Sequence, residues 1–395
     1  MNSLKPPTFP LMNLAFRPLF LFGSIFSVIA ISWWSYFWLN PNDWSPYGGL
    51  IWWHAHEMLF GFGTAIVTGF LLTAVRNWTG VPGISGALLA SLVTLWLLGR
   101  LVISFTGELP WWAISSIDVS YLLFAATALA YPIIKVKQWR NLMFVPILLL
   151  LALLNAISHW SVISNQPEIA IKVIHATIIL FTLIIAIIGG RVMPMFTANG
   201  AGCKKKNPIM WLEIISIFSI LSMVTIALVG FNQINPMLLF CVSSISAIAN
   251  AIRFSRWGIQ YTWSIPLLWS LHLSYIFIPL GFALLAFYSI GWITNLSAVL
   301  HSFTVGAVGG MILAMISRVS LGHTGRSLKA HKLLSLAYAL IVIATLIRVF
   351  IPAWFPSYYN LSIGISGSFW TLAFVFFVVI YAPILISERA DGRPG

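Results

Sequence analysis

Twelve apolar runs, each of roughly the 20 residues that an α-helix needs to cross about 30 Å of hydrocarbon, leave this chain almost no choice of fold. They fall near 14–39, 51–75, 84–105, 112–134, 141–161, 170–191, 208–230, 236–254, 265–289, 298–317, 333–350 and 362–387. The connections are short and carry Pro, Gly, Asn or charge ("NPNDWSPYGG", "KVKQWR", "NGAGCKKKNP"), so none reads as a soluble domain or a long linker. With 7% charged and 60% apolar residues and a mean hydropathy of +0.96, a soluble globular fold is excluded. The expected architecture is an all-α polytopic membrane protein: one domain over 1–395, about twelve transmembrane helices in a single bundle, and no obvious internal repeat. The first run is too long for a cleavable signal and lacks a small-residue cleavage site.

The net charge of +13 is a topology signal rather than a nucleic-acid footprint. If the N-terminus is cytoplasmic, 18 of the 21 basic residues, from Lys5 and Arg17 to Arg389 and Arg393, fall on the cytoplasmic side. Only Arg100, Lys172 and Arg348 are left for the other, which predicts both termini in the cytoplasm. The two cysteines, Cys203 and Cys241, form no C-x-x-C pattern, so a disulfide framework, a thiolate metal site and covalent haem attachment are not indicated.

With that topology, the histidines form a pattern. His54, His56, His159, His175 and His301 share one level near the outer face, His272 lies in the inner half, and His323 and His331 belong to a cytoplasmic loop. Ionisable groups at hydrocarbon depth face a bundle interior and pair with each other or with a metal, so this level predicts a metal or haem site. A proton path or plain interhelical hydrogen bonding is the alternative. At about 100° per residue, His54 and His56 point to opposite sides of their helix and serve different neighbours. Glu57 and Met58, at i+3 and i+4, are expected on the face of His54, offering imidazole, carboxylate and thioether together; that set suits copper, iron or zinc. His56, Phe60 and Gly63 make a second face on which a flat macrocycle fits, and His301 with Gly306, Gly309 and Gly310 repeats the arrangement, unless those glycines serve close helix packing. His272 is a further candidate ligand, or a hydrogen-bonded core histidine. Asp118 and Arg100 lie at similar depth and read as an ion pair, with Asp118 as a proton-path candidate. Arg191 and Arg318, at helix ends, suit lipid headgroups or a cofactor propionate.

The stretches "WWHAHEMLFGFGTAIVTGFLLTAVRNWTG", "GGRVMPMFT", "PLLWSLHLSYIFIPLGF", "HSFTVGAVGGMILAMISRVSLGHTGR" and "YAPILISERADGRPG" together resemble the NnrS family of bacterial membrane proteins. The resemblance implies a twelve-span protein of the bacterial inner membrane that binds haem and copper and is linked to nitric oxide metabolism and nitrosative stress. By motif, His54, His56 and Glu57 match its "HAHEM" element, His272 its ninth span, His301 its tenth and His323 its "LGHTGR" loop. The expectation is non-covalent haem b with copper near the outer face, with nitric oxide as ligand or substrate and quinol as an electron donor. His56 and His301 are expected on the haem, and His54, Glu57, Met58 or His175 at the second site. In an oxidoreductase version, Glu57 or Asp118 supplies protons. A proton-coupled transporter and an electron-carrying membrane cytochrome b are the other two readings.

Overall fold

The computed structural model describes residues 10–41, 43–107 and 109–393; Lys5 lies outside them. Among the described residues, twelve helices are long and apolar enough to span a membrane: Phe16–Leu39, Gly49–Thr79, Gly86–Ser104, Trp111–Lys135, Trp139–Ile163, Pro167–Ala201, Met210–Val229, Pro236–Ser255, Pro266–Ser289, Leu296–His323, Lys332–Trp354 and Pro356–Ile386, here spans one to twelve. Their starts follow from local chemistry. Proline opens spans six, eight and nine, where its missing N–H costs nothing. Asn235 and Asn295 accept N-terminal amides of spans eight and ten, and His331 does the same for span eleven. Gly80 and Gly202 end spans two and six in the left-handed conformation that glycine adopts without strain.

Spans two and ten are the most buried, with 78% of the most apolar stretch inside, followed by nine at 72% and six at 67%; the others lie between 33 and 50%. The four therefore form the centre of the bundle. Span one packs against both two and twelve, so the start of span one lies beside the end of span twelve. At that end Arg17 donates to the carbonyls of Leu385 and Ser387 at 2.9 and 2.6 Å, and Ala390 N–H donates to the Thr324 carbonyl at 2.9 Å.

Three features differ from the sequence expectation. Spans six and nine continue without a break through Pro194 and Pro279, where an internal proline reads as an interruption. His323 is the last residue of span ten and packs its ring 5.6 Å from that of Phe16, so it is not in the loop; a Gly-His-Thr-Gly sequence reads as a turn, but the helix runs through Gly322 before it stops. Spans two and ten each switch from α- to π-helix directly after a histidine, over Glu57–Gly63 and Ser302–Gly309. Such π turns concentrate at functional sites.

Candidate functional site

The π turn in span two decides where its polar residues go. A wider turn rotates less per residue than the about 100° of an α-helix, so Glu57 swings away from the face of His54 and toward His56, while Met58 still comes round to His54. Glu57, expected beside His54 and Met58, is accordingly found on the opposite side, fully buried, with Oε1 3.0 Å from His56 Nδ1.

Two separate sites result. The first is a cavity of about 340 Å³ at the end of the bundle away from the termini, lined by His54, Met58, His175, His301 and Arg348 and otherwise mostly apolar. His54 stacks on Trp34 with ring centroids 4.2 Å apart, and His175 stacks on Phe231 at 5.4 Å. His301 Nδ1 donates to the Ser297 carbonyl at 2.6 Å, which fixes the tautomer and leaves Nε2 with a free lone pair. All three histidines keep exposed surface toward the cavity.

The second site is a buried polar cluster drawn from spans two to five. Asp118 pairs with Arg100, accepts from Asn155 Nδ2 at 2.6 Å, and has His56 and His159 each at 3.2 Å. His56 Nε2 also lies 2.8 Å from Asn155 Oδ1. Because the Asn155 amide nitrogen is taken by Asp118, its oxygen is the group facing His56, so both ring nitrogens of His56 face acceptors and both donate. Two carboxylates then balance two cations, Arg100 and His56, and the cluster is neutral as a whole. Trp52 covers it, stacking on His56 at 4.3 Å and donating to Ser158 at 2.9 Å. Among the described residues, His56, Asp118 and His159 alone bring three ligating atoms within 4.8 Å of one another.

The face of His56, Phe60 and Gly63 holds no space for a macrocycle, because Phe181 fills the position of the missing Gly63 side chain, 2.8 Å from where a Cβ would stand. Gly306 and Gly309 are filled in the same way by Phe277 and Trp370, so they serve close helix packing. His301 therefore comes together with His54, Met58 and His175 rather than with His56.

A family model described as "NnrS protein" matches residues 10–389. The chain belongs to the NnrS family. No curated protein matches it. Three of the stretches that carry the resemblance are placed as follows: "HAHEM" divides between the cavity and the cluster, "SFTVGAVGG" lines the cavity through Thr304, Val305 and Val308 while Gly306 and Gly309 pack on Phe277 and Trp370, and "LGHTGR" lies beside the end of span twelve.

The remaining sequence candidates stay apart from both sites. His272 Nε2 lies 2.9 Å from Thr197 Oγ1 with its ring beside Phe254, Arg191 rests over Phe144 and near Met143 Sδ at 3.3 Å, and Arg318 lies 4.2 Å over Phe196. Sequence reasoning missed Arg348 and Asn155 as site residues. A cation at a span end reads as topology noise, and a single asparagine in an apolar run carries no pattern, although its rarity there is itself a signal.

Proposed function

We propose that this NnrS-family chain is a haem- and copper-binding protein of the bacterial inner membrane that binds nitric oxide in the cavity of His54, His175 and His301, as part of nitric oxide metabolism or defence against nitrosative stress. The observation that carries this reading is His301, an imidazole held by a backbone carbonyl with its other nitrogen free beside a cavity that two more histidines line. The donor set fits a haem: imidazoles around an apolar space within the roughly 300–1,000 Å³ range of ligand pockets, with the Trp34 and Trp370 rings in its wall and a cation, Arg348, at its edge. It also fits cuprous copper, since Met58 puts a thioether on the wall that carries His54. The His56, Asp118 and His159 group does not fit a metal as it stands, because Arg100 already neutralises Asp118 and both His56 nitrogens are engaged.

A ferrous haem held there supplies an iron that binds nitric oxide tightly. The protein's own part is to admit the ligand and hold the cofactor. Nitric oxide is small, neutral and soluble in hydrocarbon, so an apolar wall among membrane helices is no barrier to it. The basic residues favour an orientation with this cavity toward the outer face. In an enzymatic version, in which nitric oxide is reduced to nitrous oxide with electrons from quinol, Glu57 is the carboxylate on the helix that lines the cavity and Asp118 stands behind it in the cluster.

The test is the visible spectrum of detergent-purified protein from haem-replete cells, reduced without oxygen, before and after nitric oxide is added. The expected result is a haem b Soret band that shifts on addition. A colourless protein overturns the reading. Gas analysis for nitrous oxide in the same vessel separates reduction from binding alone.

A further inference from the structure

Arg348, near the end of span eleven, is 5% exposed and lines the cavity. Its Nη2 donates to the Tyr359 hydroxyl at 3.3 Å and its guanidinium lies 5.1 Å from the Tyr359 ring centroid, whereas Nη1 is buried with no hydrogen-bond partner. No carboxylate stands in the cavity wall, and among the described residues none forms an ion pair with Arg348. Two other buried arginines have carboxylate partners, Arg100 with Asp118 and Glu57 and Arg253 with Glu213 at 2.6 Å, while Arg17 donates to the Leu385 and Ser387 carbonyls and Arg318 rests over Phe196. The neighbouring groups cannot supply the missing charge, because an imidazole is neutral or positive and a tyrosine hydroxyl is neutral. A desolvated guanidinium without a counter-charge is strongly unfavourable, and its planar fork matches a carboxylate or similar oxyanion.

We propose that Arg348 is the receptor for an oxyanion held inside the cavity. Such a group has two sources: a carboxylate arm of a bound porphyrin, or a free small oxyanion such as nitrite or formate. The proposal rests on the cavity being a binding site, as in the reading above, but not on the identity of its occupant. Tyr359 is the positioning residue. Its hydroxyl holds one arm of the guanidinium, and the other arm is left without a partner in the protein.

The test uses the full chain purified from haem-depleted cells. Haem b and its dimethyl ester, the same macrocycle without free carboxylates, are titrated into wild-type protein and into R348Q, R348K and Y359F. In parallel, formate and nitrite are titrated while the midpoint of thermal unfolding is followed. If the oxyanion is a porphyrin carboxylate, wild-type protein prefers haem over the ester by about 10- to 100-fold, R348Q binds the two alike, and R348K keeps part of the preference. If it is a free oxyanion, the two macrocycles bind alike and formate or nitrite raises the midpoint saturably in wild type but not in R348Q. The proposal is overturned if wild type neither distinguishes the macrocycles nor responds to the anions, or if either effect survives in R348Q. The wild-type comparison stands even where a variant does not fold. Failure of both macrocycles to bind removes the haem reading alone, and the anion titration then decides for Arg348.

Discussion

His54 and His56, two residues apart on span two, face opposite ways: the first stacks on Trp34 in the cavity wall and the second stacks under Trp52 inside the buried charge cluster. One short stretch of helix thus serves two sites of different character, one with open ligand atoms and one with every charge matched. Replacing the two residues separates these roles. His56→Ala leaves Glu57, Asp118 and Asn155 short of a donor in a closed space and is expected to cost about 3–5 kcal/mol, read as a lower midpoint of unfolding in detergent. His54→Ala removes a ring from a cavity wall and is expected to cost less than about 2 kcal/mol while changing cofactor content. Equal effects of both substitutions on stability contradict the division.

The contact between Gly309 and Trp370 gives a second prediction. A Cβ at position 309 would overlap the Trp370 ring, which also lines the cavity. Gly309→Ala is therefore expected to destabilise by about 1–3 kcal/mol through overpacking and to displace the indole in the wall of the cavity proposed to hold the cofactor. Pigment bound per folded chain falls in this variant. Gly322→Ala, in span ten away from the cavity, where a Cβ would meet only Leu328 at 3.9 Å, leaves pigment unchanged.

Much of this architecture was legible in the sequence. The thickness of the bilayer fixes helix length, so the spans could be read from apolar runs, and the α-helical rotation alone set His54 and His56 apart. The misplacement of Glu57 has a definite cause: the π turn that begins at that residue shifts the helical phase, and nothing in "HEMLFGFG" marks it. The glycines of span ten looked like an opening because the rings that fill them, Phe277 and Trp370, come from spans nine and twelve. Asn155 and His159 join Asp118 only through packing of spans four and five, and Arg348 gains its meaning from a cavity that one helix does not reveal.

Sidedness follows from the charge distribution and is open to chemical labelling. Cys203 lies between spans six and seven at the end of the bundle where span one starts and span twelve ends, and it is partly exposed. With the termini cytoplasmic, a membrane-impermeant maleimide labels Cys203 in inside-out vesicles and not in intact spheroplasts. The reverse pattern inverts the topology and places the histidine cavity on the cytoplasmic side.

At the C-terminal tail, Arg389 donates to Asp391 through Nε and Nη2 at 2.9 and 2.6 Å and to the His323 carbonyl at 2.8 Å. The hydrogen bonds from Arg389 lower the Asp391 carboxyl from its usual 3.8 to about 2. A carboxyl depressed on folding contributes stability that is fully present above its unfolded value and is lost as pH falls through the folded one. Protection of the Ala390 amide, which donates to the Thr324 carbonyl, is therefore expected to stay constant between about pH 8 and about pH 5, after correction for intrinsic exchange, and to drop in Asp391→Asn. A steady loss across that range contradicts the pairing.

In the proposed function the cavity histidines, and not the buried cluster, hold the metal group. Haem content per folded chain, measured for the wild type and for His301→Ala, His175→Ala and His159→Ala prepared side by side from haem-replete cells, tests it most directly. Pigment is expected in the wild type, a large loss or an altered reduced spectrum in His301→Ala or His175→Ala at nearly unchanged stability, and a wild-type spectrum in whatever fraction of His159→Ala folds. Full pigment with an unchanged spectrum in both cavity variants, or its loss from folded His159→Ala alone, contradicts it.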